Sequence, residues 1–326
     1  MKFPQKLTLF LFVLLPVLLL AGCSPQKDPV SATGFYFDTV IQITLYDEKE
    51  KPLLEDCLSM AEHYEKLLST TVEGSDIWNL NHANGSYVTV SDDTLFLLQK
   101  ALSYAELSEG AVDPTIGALS GLWNFGSDNE KLVPSDPQIK DALSHVDYHA
   151  LHIRGKEVCL TDPLAQVDLG FIAKGFIADQ MRDYLTARGV TSGLINLGGN
   201  VVVIGSKPDG SDYKIGIQKP FADAGTPALT LSLSDTSVVS SGNYERYFEI
   251  AGQLYHHILS TQTGYPADTG LSQVSILCKS SCDADALSTL CFVLGYEKAA
   301  LLLKDMPEIK AVFLTQSGEL LYVNFD

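Results

Sequence analysis

Apolar and polar positions change their period several times along the chain, and each change marks an element. Thr39 to Tyr46 alternates as a strand does, and Pro52 to Ser69 places Leu53, Leu54, Cys57, Met60, Ala61, Tyr64, Leu67 and Leu68 at helical spacing. The helical period returns over Asp92 to Ser108, with Asp92 or Asp93 as the N-cap, and over Phe171 to Arg188, which Gly189 closes. Strand-like runs follow at Gly193 to Asn196, Val201 to Ile204, Tyr213 to Gln218, Ala228 to Leu233, Arg246 to Ile250, Gln253 to Leu259 and Gln273 to Cys278. Ala284 to Lys304 reads as one long helix, and Lys310 to Leu314 with Leu320 to Asn324 as a closing hairpin. No repeat or compositional break divides this pattern, so it predicts a single α+β domain of interleaved elements. The alternation is too irregular for a doubly wound parallel sheet.

The first residues follow another rule. Lys2 and Lys6 precede an almost wholly apolar run, Leu7 to Leu20, broken by Pro16. That layout is a signal segment, and the run is too short to read as a spanning helix. Leu20-Ala21-Gly22-Cys23 resembles the lipobox of bacterial lipoproteins. The resemblance implies cleavage before Cys23, a lipid on Cys23 and a body held at the extracytoplasmic face of the cell membrane. The competing reading is an ordinary cleaved signal with an incidental Cys23. The expected division is therefore 1–22 signal peptide, 23–34 anchored tether and 35–326 folded domain.

Composition narrows the function classes. Of 326 residues, 22 are Lys or Arg and 40 are Asp or Glu, a formal charge of −18. Phosphate neutralisation needs clustered cations, so a nucleic-acid partner is excluded. Apolar residues at 46% against 19% charged are enough to bury a core. Beyond Cys23 five cysteines remain, Cys57, Cys159, Cys278, Cys282 and Cys291, with no CxxC pair. This argues against a zinc site or a disulfide framework. Cys278 and Cys282 are either a pair or buried thiols.

Three clusters carry candidate chemistry. Val167-Asp168-Leu169-Gly170 leads into a helix with Lys174 in its first turn, which puts N–H groups and a cation where a phosphate can sit; a capping Asp with a solvated lysine has the same layout. Asn196-Leu197-Gly198-Gly199-Asn200 is a tight turn that permits close approach of backbone or ligand. In Cys282-Asp283-Ala284-Asp285-Ala286-Leu287-Ser288-Thr289, Asp285 and Thr289 lie four apart on one helix face. Their oxygens suit a hard cation such as Mg2+, whereas capping by Asp283 and a dipole role for Asp285 would leave the same pattern. Adjacent His256 and His257 point to opposite faces of a strand, so one of them at most serves a given site.

Taken together and in order, these segments resemble the ApbE family of bacterial FAD:protein FMN transferases from about Phe35 to Val312. The resemblance rests on Phe37-Asp38-Thr39, Gly110-Ala111-Val112-Asp113-Pro114-Thr115 with Leu122-Trp123-Asn124-Phe125-Gly126, Asp168-Leu169-Gly170 through Lys174-Gly175, and Asn196 to Asn200. It continues through Ser240-Ser241-Gly242-Asn243-Tyr244-Glu245-Arg246, His257 with Thr263-Gly264-Tyr265-Pro266, and Ala284 to Thr289. It implies a single α+β domain of the ApbE, T-fold-like, type. The implied reaction is a Mg2+-dependent transfer of FMN from FAD to a threonine hydroxyl of an extracytoplasmic flavoprotein, releasing AMP. That acceptor would be a flavin-carrying subunit of a membrane redox complex or a secreted reductase. By position, Asp285, Thr289 and the carbonyl of Phe171 would hold Mg2+. Phe37, Val112, Asp113, Pro114, Asp168, Lys174 and His256 would line the FAD site. His257 is the candidate base, with Asp285 or a neighbouring carboxylate as competitor. The chain departs from the family at Thr71-Val72, which lacks the usual aromatic, at Ser260-Thr261, which replaces Asp-Pro, and at Phe37-Asp38, which replaces Met-Gly. The alternatives are an FAD pyrophosphatase, with water replacing the threonine, and a solute-binding lipoprotein.

Overall fold

The computed structural model describes residues 28–126 and 131–325. The expected signal segment, the Cys23 lipidation site and the first part of the tether lie outside the described residues. In chain order the strands are β1 (Val30–Tyr36), β2 (Thr39–Leu45), β3 (Val88–Thr89), β4 (Leu151–Arg154), β5 (Glu157–Leu160), β6 (Ser192–Leu197), β7 (Asn200–Gly205), β8 (Tyr213–Gln218), β9 (Pro227–Leu233), β10 (Thr236–Gly242), β11 (Tyr247–Ile250), β12 (Gln253–His256), β13 (Leu271–Cys278), β14 (Lys310–Thr315) and β15 (Leu320–Val323). The α-helices are α1 (Lys51–Leu68), α2 (Asp76–Asn81), α3 (Asp92–Leu107), α4 (Gly117–Trp123), α5 (Asp136–Leu143), α6 (Ala173–Ala187), α7 (Ser281–Leu294) and α8 (Tyr296–Leu303).

An antiparallel sheet in the order β1-β2-β6-β7-β10-β13-β14-β15 forms the centre. Helices α1, α6 and α7 cover one face, and the β8–β9 ribbon covers part of the other through Ile215 and Ile217. With a layer on each side, β13 is buried at all eight positions, Ser272, Gln273 and Ser275 included. A second, smaller core of Leu119, Trp123, Ile139, Phe248 and Leu259 joins α4 and α5 to the β11–β12 ribbon.

The single α+β domain is as expected, and several boundaries are not. β1 begins at Val30, inside the stretch read as tether, and pairs with β2 from Val30–Leu45 to Tyr36–Thr39. Its small polar residues hide it, because an edge strand needs only one half-buried face. Ser91, not Asp92 or Asp93, caps α3 by accepting from the Thr94 amide. Ser280, not Asp283, caps α7 in the same way. The long helix from Ala284 is two helices, broken where Gly295 takes φ +75°. α6 starts at Ala173 rather than Phe171, with Lys174 in its first turn as expected. β12 stops at His256, since Ile258 and Leu259 turn to partner Ala267 and Pro266. The five later cysteines are all buried and unpaired, which selects the buried-thiol alternative for Cys278 and Cys282. Among the described residues no helix is long and apolar enough to cross a membrane.

Candidate active site

Strand register brings the loops that matter to one end of the sheet. The β1–β2 tip (Phe37-Asp38), the β6–β7 tip (Gly198-Gly199) and the end of β10 (Gly242) all lie there, since Ile41 pairs with Leu197 and Val201 with Val238. Gly198 is required at its tip. Its φ is +57°, and a Cβ would overlap Thr39 of the neighbouring hairpin.

Beside this end, α6 and α7 cross at Gly175. A Cβ there would overlap the Ser281 carbonyl and lie 2.7 Å from Asp285 Cβ, so the glycine sets how close the helices come. The contact has a chemical result: the Gly175 amide donates to Asp285 Oδ2 at 2.9 Å. In an uninterrupted helix that amide would bond the carbonyl four residues back, on Phe171. Among the described residues no donor takes the Phe171 carbonyl. Gly175→Ala is expected to push the helices apart, destabilise the protein by about 1–3 kcal/mol and abolish activity. A thermal melt near wild type with full activity would contradict this.

Asp285 is 3% exposed. Burial pushes its carboxyl pKa up, and the Lys174 charge, the Gly175 amide and the Asn200 side chain pull it back. Thr289, one turn along α7, shares a hydrogen bond with Ser241 Oγ at 3.0 Å. Ser241 in turn meets Ser288 Oγ at 2.7 Å, and Ser288 Oγ donates to the Asp285 carbonyl at 2.9 Å. Asn200, 1% exposed, turns Nδ2 toward Asp285 without completing a hydrogen bond to it or to any other group among the described residues.

The charges around this pair are mixed. Lys174 acts on Asp285, Glu245 and His257 together. Glu245 sits in a recess that water reaches; the protein around it pushes its carboxyl pKa up, Lys174 and Arg246 lower it, and Asp285 raises it. His257 is held by the Arg246 carbonyl, which accepts from its amide at 3.1 Å and from Nδ1 at 3.3 Å. A carbonyl can only accept, so the proton is on Nδ1 and the lone pair on Nε2. Burial first, and then the Arg246 and Lys174 charges, hold its pKa well below 6.5. His257 is therefore neutral at physiological pH, with its lone pair on Nε2.

Other expected residues are placed differently. His256 faces the core, with Nε2 donating to the Ala267 carbonyl at 3.1 Å, Nδ1 accepting from the Ile258 amide at 3.3 Å and its ring edge-on to Phe292. Burial lowers its pKa to about 4. It is turned away from the site that His257 faces, as strand alternation requires. Asp113 is also turned inward: Oδ1 accepts from the Thr115 amide and hydroxyl, and Oδ2 from the Tyr148 amide at 2.8 Å. It holds its loop in shape. Val112 is buried with its amide on Ser108 Oγ, and the Pro114 carbonyl accepts from the Asp168 amide at 2.8 Å. Asp168 is partly exposed and accepts from Ser120 Oγ at 2.7 Å and the Gly170 amide at 2.8 Å. Thr261 donates to the Gly110 carbonyl at 2.7 Å and so ties the His257 loop to the Asp113 loop. Phe37 sits at φ +55° with its amide on Glu65 Oε1 at 2.7 Å.

Sequence reasoning gave no role to Asn200, Ser120, Glu245 or Arg246. All but Ser120 stand inside motifs already singled out; what brings them to Asp285 and His257 is the approach of separate elements, which no local spacing encodes.

Among the described residues no cluster of three His, Cys, Asp or Glu side chains could hold a metal. The candidate donors are instead all oxygen: the buried Asp285 carboxylate, the Thr289 hydroxyl and the Phe171 carbonyl, which no described donor takes. That set fits a hard cation keeping water and substrate ligands, as Mg2+ does, and does not fit zinc.

The fold and site thus define a one-domain α+β protein in which two crossed helices bring a buried carboxylate to a glycine amide, and one lysine charge acts on both that carboxylate and a neutral histidine. The ApbE family pattern matches residues 37–313. The chain is 41% identical over 277 residues to the FAD:protein FMN transferase of Treponema pallidum (strain Nichols), covering 80% of this chain and 76% of that one. It is 37% identical to one from Klebsiella pneumoniae (strain 342), covering 86% and 87%. Among solved structures it superposes on the ApbE protein of Thermotoga maritima with a TM-score of 0.85 at 31% identity, over 91% of this chain and 97% of that one. The flavin transferase ApbE of Vibrio cholerae gives 0.80 at 26%, with the same coverage. The chain belongs to the ApbE family.

Proposed function

We propose that this chain is an FAD:protein FMN transferase that moves FMN from FAD to a threonine hydroxyl of an acceptor protein outside the cytoplasm and releases AMP. The observation that carries the reading is the crossing at Gly175, where the Gly175 amide turns to Asp285 and leaves the Phe171 carbonyl without a helical donor, while the Lys174 charge acts on both Asp285 and His257.

The threonine oxygen attacks the phosphorus on the FMN side of the FAD diphosphate. The bond from that phosphorus to the bridging oxygen breaks, and AMP leaves with the electron pair. A threonine hydroxyl is a weak nucleophile, and His257 Nε2 is placed to take its proton. Lys174, at the start of α6, would offset charge on the diphosphate, and Asp168, held by the Ser120 hydroxyl, would line the FAD site. Asp285, Thr289 and the Phe171 carbonyl would hold Mg2+, which supplies positive charge against the diphosphate oxygens when bound. The chain acts on the outer face of the cell membrane if Cys23 carries a lipid.

Incubation of the described domain with FAD, Mg2+ and a threonine-bearing acceptor flavoprotein tests this. A mass gain of one FMN less water on the acceptor, abolished by EDTA, is expected. Release of FMN and AMP with an unmodified acceptor would replace the transferase with a pyrophosphatase, and FAD left intact would remove both.

A further inference from the structure

One edge of the β11–β12 ribbon has main-chain groups that the fold does not use. Ala251 and Gly252 have φ of +52° and +80°, a two-residue turn that makes the flanking Ile250–Gln253 pair a hydrogen-bonded one. Bonded and non-bonded pairs alternate along an antiparallel ladder, so Glu249–Leu254 and Tyr247–His256 are non-bonded. The bond from the His257 amide to the Arg246 carbonyl continues that alternation. The N–H and C=O groups of Leu254 and His256 therefore point away from β11. Among the described residues none hydrogen-bonds them, although His256 is only 5% exposed. A buried main-chain group without a partner is rare enough to require an account.

On that side lies a cavity of about 250 Å³ whose lining includes Leu254, His256, Asn243, Asp268 and Gln316. Asn243 is 4% exposed, and its Oδ1 also has no partner among the described residues. The next outward group along the same edge, the Ile258 carbonyl, is paired: the Ala267 amide donates to it at 2.9 Å. The edge is thus completed by the chain itself beyond His257 and left open before it.

We propose that the acceptor protein adds an extended segment to this open edge, pairing with the main chain of Leu254 and His256 and placing its threonine at His257. The proposal rests on the transferase reading above. The acceptor is the occupant because the edge runs directly into the candidate base. A residue paired opposite Tyr255 projects its side chain onto the face that Tyr255 shares with His257. A second copy of this chain would satisfy the same main-chain groups and would bring no acceptor hydroxyl.

Leu254→Pro tests it. Proline removes one outward N–H and is tolerated where the amide faces away from the ladder. The acceptor KM is expected to rise about tenfold or more, with the FAD KM unmoved. An unchanged acceptor KM overturns the proposal. If the variant does not fold, the wild-type protein is assayed with short synthetic peptides spanning the acceptor threonine, N-methylated at one position at a time. Strand addition predicts losses at alternate positions only, and a response without that period overturns it. A dimer in light scattering that Leu254→Pro converts to monomer, with acceptor KM unmoved, assigns the edge to a second copy and overturns it too. If the wild-type protein modifies no acceptor, the transferase reading has failed separately. Anisotropy of a fluorescein-labelled acceptor peptide, bound by wild type and lost with N-methylation at alternate positions, then decides the groove.

Discussion

Asp285→Asn is expected to lower FMN transfer by about a thousandfold or more while the protein stays folded. The amide retains an oxygen for the Gly175 N–H, so the crossing of α6 and α7 keeps its hydrogen bond. What disappears is the one negative charge among the three donors proposed for Mg2+. A bound cation contributes several kcal/mol of transition-state stabilisation, and about 4 kcal/mol is a thousandfold in rate. Initial rates of AMP release across a Mg2+ titration would show it, together with weaker Mg2+ binding by calorimetry. Stability in EDTA should not fall. Burial raises the Asp285 pKa, so the carboxyl's contribution to stability is full below its unfolded pKa and is lost as pH rises through the raised value. Asn has no such loss, and near neutral pH the variant is expected to melt no lower than wild type. Transfer within tenfold of wild type would remove Asp285 from the site.

His257→Gln is expected to cost about a hundred- to ten-thousandfold in kcat, the usual contribution of a general base. Its pH dependence distinguishes this role from a structural one. The His257 pKa is held well below 6.5, so the base is unprotonated at neutral pH and kcat/KM should fall only well on the acid side of 6.5. The Gln variant should retain slow transfer without that acid limb. Stability has the same sign: a lowered histidine pKa contributes above the unfolded value and is lost as pH falls through it. An acid limb at or above pH 6.5, or unimpaired transfer in the variant, would sink the assignment.

Some of this was legible in the chain. The 3.6-residue period over α1 and α3 and the alternation in β2 follow from which face each element buries, and that is written locally. The Asp285–Thr289 spacing on one helix face was equally readable. β1 and the caps were less so. An edge strand with small residues resembles a linker, and Ser280 beats Asp283 as cap only because the backbone enters α7 at Ser280. His256 and His257 show where spacing runs out. Alternation separates them onto two faces, and the packing against Phe292 and Ala267 decides which face is core.

By itself the sequence determined the family and the α+β class, because these rest on local periodicity and on motifs kept in order. Only the tertiary structure decided which groups of the site meet. Gly175 releases the Phe171 carbonyl because α7 brings Asp285 to its amide. Asp113 turns inward because Thr115 and Tyr148 reach it first. The open edge of β12 exists because its next partner, Ala267, joins at Ile258, two residues beyond His256. Each is a contact between segments distant in sequence, and hydrogen bonds of that kind are set by how layers pack rather than by what stands beside a residue in the chain.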